Sequence, residues 1–330
     1  MRTALLVTLS LILVFFVNVT NCLSSDDDIL FFLPAILAGA NPPPPNSGKS
    51  VRVAGNKLLS PYGNPLFLKI ATWENPFEGS VSGQTIIRFM DYMKATNLNC
   101  ILLKANMWLV DDNRQRIDTR VNALRWLIEE AEKRGIYVIL NLFDVWSRGR
   151  GSNSSNMDSN THPINVWNWD HRHHAADYLK WVTREFIKHP MVLFELGNKM
   201  ERNDEAIFIQ IAKIHLLPHF YAIAGKDRPI GVSQQPLWSL PVNVIFNHAP
   251  NSMPMVGLND RPVITNELAY DTDLWKDSVI RNPSRSQEYI NAFNLAKANN
   301  HSGVAAATIL NINNSLNDAA KYVLGELGKL

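Results

Sequence analysis

The 330-residue chain has few cysteines, and this shortage excludes a disulfide-rich scaffold. Only Cys22 and Cys100 are present, and Cys22 lies in an N-terminal segment that we expect to be lipidated or removed. Cys100 is then left without a partner. Because it lies in an apolar strand pattern, we predict that Cys100 is a buried structural thiol rather than a nucleophile.

Net charge and phosphate-binding motifs are also scarce. The 32 basic residues nearly balance the 30 acidic residues, and no basic stripe is interleaved with aromatic residues. A nucleic-acid partner is therefore not expected. No GxGxxG motif follows the first predicted strand, and no Gly-rich loop or cluster of Arg and Lys precedes a helix. We predict no cofactor.

One histidine-rich stretch, "DHRHH" from Asp170 to His174, resembles a metal site. Asp170 and His174 have the i, i+4 spacing of ligands on a helix. Two ligands are too few, however, and the start of an exposed helix is an ordinary place for them. We predict no metal site.

The N-terminus predicts export. Arg2 is followed by an apolar run over residues 4–19, which has the length of a signal sequence and is short for a membrane span. Residues 1–24 are thus predicted to be a signal peptide or a lipoprotein signal. Either Cys22 carries a lipid, although Asn21 fits poorly before it, or a signal peptidase cuts near Ser24. The chain would then be secreted, periplasmic or lipid-anchored at the cell envelope.

A true membrane anchor is the remaining alternative, because a second apolar run, "ILFFLPAILAGA", follows "SDDD". That run has about 12 residues and contains a proline, so it is too short to span a bilayer. The stretch "NPPPPNSGKS" after it cannot form a helix or a sheet interior. We predict that residues 25–50 are an apolar and Pro-rich tether and that residues 51–330 form the folded domain.

Eight short apolar runs alternate with helical patterns in residues 51–330. These runs are nearly continuous in apolar residues, which is typical of parallel strands covered on both faces. They span residues 65–72, 99–108, 135–144, 191–198, 229–233, 243–249, 262–268 and 303–311.

Helical stripes fill most of the intervals between the runs. One stripe runs from Val121 to Ala131 and ends at Gly135, and another runs from Ala175 to Phe186. Further helices are predicted over residues 206–217, 289–298 and 319–327. This alternation predicts an α/β fold, a (β/α)₈ TIM barrel. Connections 234–242 and 250–261 are too short for full crossover helices, so the barrel is shortened around strands 5–7. A doubly wound open sheet is the alternative.

Polar and aromatic side chains stand where the predicted strands end, and the C-terminal strand ends of such a barrel carry its active site. Amides and carboxylates bind sugar hydroxyls, and aromatic faces cover the apolar side of a pyranose. These strand-end residues are Trp73, Glu74, Asn106, Trp108, Asn141, Asp144, Asn198, Lys199, Gln234, His248, Glu267 and Asn311.

Three segments, in the correct order, resemble motifs of clan A glycoside hydrolases of the cellulase type, similar to family 5. "GNKLLSPYGNPLFLKIATWEN" is similar to the opening of the barrel in that family, "HPMVLFELGNKM" to its fourth-strand motif, and "RPVITNELA" to its seventh-strand motif. The resemblance covers roughly residue 51 to the C-terminus. It implies Glu267 as the nucleophile and Asn198 as the amide that binds the substrate 2-hydroxyl. His248 matches a histidine of the sixth strand.

The strand-end positions also indicate further substrate contacts. Trp73 and Trp108 are candidate sugar platforms. Asn106 and Asn141 are candidate hydrogen-bonding partners of the sugar.

Lys199 occupies the position at which the family has its acid/base glutamate. A retaining glycosidase needs two carboxyl groups about 5–5.5 Å apart, one to attack and one to protonate the leaving oxygen. A lysine, with an ordinary pKa near 10.4, holds its proton too tightly for that role. Glu201, in the loop after Lys199, is a candidate replacement. Glu195 is expected to point towards the helices, because it lies an odd number of residues from Asn198.

The polar stretch 147–165 follows the third predicted strand and is either a lid over the substrate or a surface loop. Three functions remain open. The first is an exported, monomeric retaining hydrolase of β-linked oligo- or polysaccharide, impaired by Lys199. The second is a catalytically degenerate carbohydrate-binding barrel. The third, an unrelated barrel enzyme acting on a small metabolite, is disfavoured by the export signal and the tether.

Overall fold

The computed structural model describes residues 49–73, 82–104, 109–111, 113–143, 169–197, 205–233, 236–249, 260–268, 286–306 and 318–330. Contacts divide the chain into two units, Met1–Pro42 and Pro43–Leu330. The first unit lies outside the described residues, with the predicted signal and most of the predicted tether. All described residues therefore belong to the second unit.

Eight parallel strands close into a barrel, which confirms the predicted fold class. The barrel runs in chain order from β3 to β10, and β10 pairs with β3 to close it. The strands are β3 (Leu68–Trp73), β4 (Cys100–Lys104), β5 (Tyr137–Asn141), β6 (Val192–Gly197), β7 (Ile230–Ser233), β8 (Val244–Ala249), β9 (Val263–Leu268) and β10 (Gly303–Ala306).

Alternate side chains of each strand enter two separate cores, because successive residues of a strand face opposite sides. Ile70, Leu102 and Ile139 belong to the cluster inside the barrel. Their neighbours Ala71 and Leu103 belong to the larger cluster between the barrel and the helices. Both faces of the sheet are therefore apolar, which is why the strands appear as continuous apolar runs in the sequence.

Seven α-helices surround the strands in the described part of the chain. All five predicted helical regions are helical in the structure, while α1 was not predicted. The helices are α1 (Gly83–Ala95), α2 (Asp118–Lys133), α3 (Arg172–Phe186), α4 (Glu205–Ile211), α5 (Leu217–Ala224), α6 (Ser286–Ala298) and α7 (Asp318–Lys329). Gly135, at φ 72°, follows the end of α2 and allows the sharp turn into β5.

A π-helical turn, Ala212–Leu216, joins α4 to α5 and makes them one continuous helix. In the described residues, Ala206–Ala224 is the single helix long and apolar enough to meet the criteria for a membrane span. It nevertheless buries Phe208, Leu216 and Phe220 in the core around the barrel. The helix therefore packs against the outside of the barrel.

The connection between β7 and β8 is short, as predicted from its length. Its described residues contain one 3-10 turn, Pro236–Ser239, in place of a crossover helix. Residues 250–259, in the other short connection, lie outside the described residues.

A two-stranded hairpin closes the base of the barrel, the end at which the parallel strands begin. Its strands are β1 (Arg52–Ala54) and β2 (Lys57–Leu59), which pair antiparallel. Val51 and Leu58 are fully buried in the inner cluster. The Val51 amide donates to the Pro190 carbonyl at 2.8 Å, just before β6. The described part of the chain thus begins at the base.

Cys100 is fully buried in the same inner cluster, as predicted for a structural thiol. Burial raises the pKa of its thiol well above the ordinary value. The thiol is therefore protonated and unreactive near neutral pH.

Candidate active site

The interior of the barrel changes from apolar to polar along the strands. Apolar side chains such as Ile70, Ile139 and Leu193 fill the lower and middle parts. One step nearer the C-terminal strand ends, two polar residues occur instead: Asn141, two residues after Ile139, and Glu195, two residues after Leu193. A polar layer therefore lies directly under the mouth, the end that carries active sites in this fold.

We call Asn141, Glu195 and Ser233 the polar floor, and all three are fully buried. The Asn141 Nδ2 atom donates to Glu195 Oε2 at 2.7 Å, and the Ser233 hydroxyl donates to Glu195 Oε1. Asn141 and Glu195 are also register partners on β5 and β6. Hydrogen bonds from two neighbouring strands thus stabilise a carboxylate that would otherwise be costly to bury.

The prediction that Glu195 points towards the helices is wrong. Glu195 lies two residues after Leu193, which faces the barrel interior, and its side chain therefore faces the interior too. There it contacts Asn141 and Ser233. The register of β6 on β7 shifts between Glu195 and Gly197, a β-bulge. Such a bulge inserts one residue and resets the alternation of faces, so counting across it gave the wrong side for Glu195.

A second register shift lies in β8 and β9, between Asn247 and His248. Beyond it, His248 is the register partner of Glu267. The backbones of these two predicted site residues are therefore neighbours near the C-terminal ends of adjacent strands. Trp73 is the last residue of β3. The side chains of His248, Glu267 and Trp73 lie outside the described residues.

Several predicted site residues lie wholly outside the described residues. They are Asn106, Trp108, Asn198, Lys199 and Glu201. The predicted lid, residues 147–165, and Cys22 also lie outside them. Their proposed roles remain predictions.

Asn141 was predicted to bind sugar, and this role also remains a prediction. Its amide nitrogen is occupied by Glu195, and its Oδ1 atom has no hydrogen-bond partner among the described residues. Because Glu195 accepts from Nδ2, the orientation of the amide is fixed and Oδ1 is left as an acceptor. Asn141 therefore helps to hold Glu195 in place within the polar floor.

Glu195 and Ser233 were not predicted as parts of the site. A usable signal was present before the bulge, since Glu195 and Asn141 each stand two residues after an inward apolar residue. Ser233 gave a weaker signal, because β7 has only four residues.

A metal site is not found at Asp170 and His174. Across the ranges that the structure describes, no group of three or more His, Cys, Asp or Glu side chains is arranged to hold a metal ion. The two residues stand at the start of α3, where His174 is exposed.

Glycoside hydrolases are among the known structures that are similar to this fold, while no protein-family model and no curated protein sequence matches the chain. A glycoside hydrolase family 5 structure from Bacteroides vulgatus has 13% identity and a TM-score of 0.56, with 82% of this chain and 64% of that chain covered. An endo-1,4-beta-mannanase from Rhizomucor miehei has 12% identity and a TM-score of 0.61, covering 84% and 98%. A beta-glucanase from Saccharophagus degradans has 14% identity and a TM-score of 0.56, covering 86% and 94%.

The chain therefore has the (β/α)₈ fold of family 5 glycoside hydrolases. At 12–14% identity these structures establish the fold, and the chemistry must be argued from the residues of this chain.

Proposed function

We propose that the protein is an exported glycoside hydrolase that cleaves β-linked oligo- or polysaccharide by a retaining mechanism. The main support is the position of Glu267, near the C-terminal end of β9 and in register with His248. The backbone of Glu267 thus lies near the mouth of the barrel, above the polar floor. Structures similar to this barrel include glycoside hydrolases. Glu267 is the proposed nucleophile.

The proposed chemistry has two half-reactions. The Glu267 carboxylate attacks the anomeric carbon while the glycosidic oxygen leaves, and water then hydrolyses the glycosyl-enzyme. The family position for protonating the leaving oxygen holds Lys199. An ammonium at that position would pair with the Glu267 carboxylate and reduce its nucleophilicity. Loss of general acid catalysis typically costs about 10²–10⁴ in rate.

Lys199 is also the observation that favours a second candidate, a degenerate barrel that binds saccharide without turnover. Activated substrates distinguish the two candidates, because the two are expected to react differently with them. An aryl glycoside with a good leaving group needs no proton, so a chain with a working Glu267 forms a glycosyl-enzyme from it. A degenerate barrel binds the sugar but releases no aryl group.

The first test is Lys199→Glu, assayed on unactivated β-glucan and β-mannan oligosaccharides. Restoring a second carboxyl group is expected to raise kcat/KM by about 10²–10⁴. Lys199→Met is the matched control, because it removes the ammonium without supplying an acid. An unchanged rate in Lys199→Glu would remove residue 199 from the acid/base role.

Two further variants identify the carboxylates. Glu267→Gln should abolish release from aryl glycosides, and retained release would exclude Glu267 as the nucleophile. If the wild-type chain is already fast and Glu201→Gln abolishes its activity, Glu201 acts as the acid. Saccharide binding without reaction in any variant would support the degenerate barrel.

Export and monomeric state belong to the same proposal. Fractionation of expressing cells should place the chain outside the cytoplasm, either lipidated at Cys22 or cut near Ser24. Mass spectrometry of the mature N-terminus distinguishes the two, and a Cys22→Ala variant should lose envelope attachment if the lipid is present. Light scattering of residues 49–330 should give the mass of one chain.

A further inference from the structure

A cluster of histidines lies on the outer surface, separate from the polar floor. The chain has nine histidines, and five of them lie at the start of α3 or on the helix from α4 to α5. We call this region, with Trp169 and Arg172, the histidine surface. Its histidines are His171, His173, His174, His215 and His219.

Ring contacts join the two helices of this surface. The Trp169 and His215 rings lie 5.5 Å apart, and the His173 and His215 rings lie 5.4 Å apart, both edge to face. The Arg172 guanidinium lies 4.8 Å from the centre of the Trp169 ring. His215 belongs to the π-helical turn, a helix irregularity that is frequent at functional sites.

The end of the histidine surface that contains Trp169, His173 and His215 lies at the mouth end of the barrel, while His219 lies beside Lys180 and Arg184, farther along α3. In a parallel barrel each helix begins beside the C-terminal end of the strand before it. Trp169–His171 is the 3-10 turn that opens α3, the helix after β5. A polymer held in the mouth can therefore extend over this surface.

Fixed cations outnumber carboxylates around the histidines. The described cations that act on them are Arg114, Arg172, Lys180 and Arg184, and Lys213 is exposed on the same π-helical turn. The described carboxylates are Asp170 and Asp177, and Asp177 pairs with Lys180 at 3.1 Å, so the remaining cations are Arg114, Arg172, Arg184 and Lys213. This arrangement favours an anionic ligand.

Burial and neighbouring cations lower the pKa values of His174, His215 and His219 below their ordinary value. For His215 the cationic neighbours include His173 and Arg172. A histidine with a lowered pKa is neutral near pH 7 and gains its charge only in mildly acidic solution. The positive charge of the surface therefore rises as pH falls.

We propose that the histidine surface is a second saccharide-binding site, which takes an acidic polysaccharide of the polyuronate type in mildly acidic solution. Arginine and imidazolium groups pair with the uronate carboxylates, while Trp169 and the imidazole rings contact the apolar faces of the sugars. Ile214 is the single strongly exposed large apolar side chain of this surface in the described residues, so little is available to insert into a lipid layer. The choice of a saccharide rests on the proposed function.

The test measures binding of polygalacturonate to the full chain by affinity electrophoresis. Methyl-esterified polygalacturonate is the matched control polymer, with the same backbone and no charge. Binding to the acidic polymer is expected to be about tenfold tighter near pH 5 than near pH 7.5, with weak binding of the ester at both. Binding that is independent of pH would overturn the proposal.

The variant for this test is His173→Asn with His215→Asn, which retains polar side chains. It should lose about tenfold in affinity near pH 5 and little near pH 7.5. Lys49→Gln with Lys57→Gln, exposed residues at the base, is the control and should bind like wild type. An unchanged affinity in the histidine variant, with an unchanged Tm, would refute the site.

Two more outcomes complete the design. Equal binding of a single-stranded oligonucleotide or of anionic vesicles would show a general polyanion surface and overturn the polysaccharide assignment. The Glu267→Gln variant separates this inference from the proposed function, because it should bind polygalacturonate normally. Failure of the hydrolase proposal thus leaves the binding result unaffected, and the reverse is also true.

Discussion

At the scale of single residues, Glu195 is the buried acid that supports the mouth of the barrel. Two donors from neighbouring strands reach its two oxygens, Asn141 from β5 and Ser233 from β7. A hydrogen bond to a buried charged group contributes about 1.5–3 kcal/mol. The three side chains therefore tie together the ends of three consecutive strands.

Glu195→Gln is expected to destabilise the protein by about 1–3 kcal/mol, because the neutral amide presents N–H groups where carboxylate oxygens accepted hydrogen bonds. Urea unfolding at neutral pH measures the loss. Glu129→Gln, an exposed position on α2, is the control and should change stability by less than about 0.5 kcal/mol. Equal stability of the two variants would mean that the polar floor does not hold the strands.

At the scale of elements, the C-terminal end of α7 packs very closely on the end of α1. The Gly328 carbonyl accepts from Lys69 Nζ at 2.7 Å and from Asn97 Nδ2 at 2.9 Å. A Cβ atom at Gly328 would lie 1.8 Å from the Thr96 carbonyl oxygen. Only glycine allows the last helix to approach so closely while both donors reach its end.

Gly328→Ala should therefore cost about 3 kcal/mol or more, because a backbone oxygen cannot move aside as a side chain can. Gly325→Ala, on the same helix, meets nothing within 4 Å and is the matched control. It should gain up to about 1 kcal/mol from the higher helix propensity of alanine. Thermal unfolding of the two variants measures the difference, and similar Tm values would disprove the close contact.

The β-bulges mark the limit of strand prediction from this sequence. The apolar runs located all eight barrel strands, because each run has the length of a strand and most runs are separated by helical patterns. They did not locate the register shifts after Glu195 and after Asn247, since a bulge leaves no compositional mark. The π-helical turn was hidden for the same reason, within a helix whose apolar stripe is almost continuous.

Other misses have different physical causes. Strands β1 and β2 have three residues each, too few for an alternation to be recognised. Their position depends on contacts with residues far away in sequence, such as Pro190 and Asp227. The hydrogen bonds of the polar floor join β5, β6 and β7, so no local pattern contains them. The strand-end position of Glu267, in contrast, followed directly from its place after the apolar run of β9.

At the scale of the whole molecule, buried tyrosines set an upper pH limit to stability. Burial raises the pKa of Tyr92 and of Tyr221 to about 12, and raises that of Tyr137 and Tyr178 further. The unfolded chain releases these phenol protons near pH 10.0, the ordinary value for tyrosine. The free energy of unfolding is therefore not reduced by these tyrosines below that pH, and it falls as pH rises above it.

Tyr178→Phe should make the free energy of unfolding fall less steeply above pH 10, by about 1.4 kcal/mol per pH unit, because one fewer proton is released on unfolding. Tyr178 packs against Phe143 and Trp181, and phenylalanine keeps most of those contacts. Urea unfolding between about pH 9 and pH 11 gives the slope. Parallel slopes for wild type and variant would show that Tyr178 ionises freely in the folded state.

The hairpin under the barrel also has a mechanical consequence. Val51 and Val53, near the start of the described residues, donate to the Pro190 and Asp227 carbonyls, close to the starts of β6 and β7, while Trp73 and Glu267 stand at the far ends of their strands. Whatever the upstream chain is attached to, tension along it is transmitted to the foot of the molecule. Such tension acts on the starts of β6 and β7 and not on the strand ends where Trp73 and Glu267 lie.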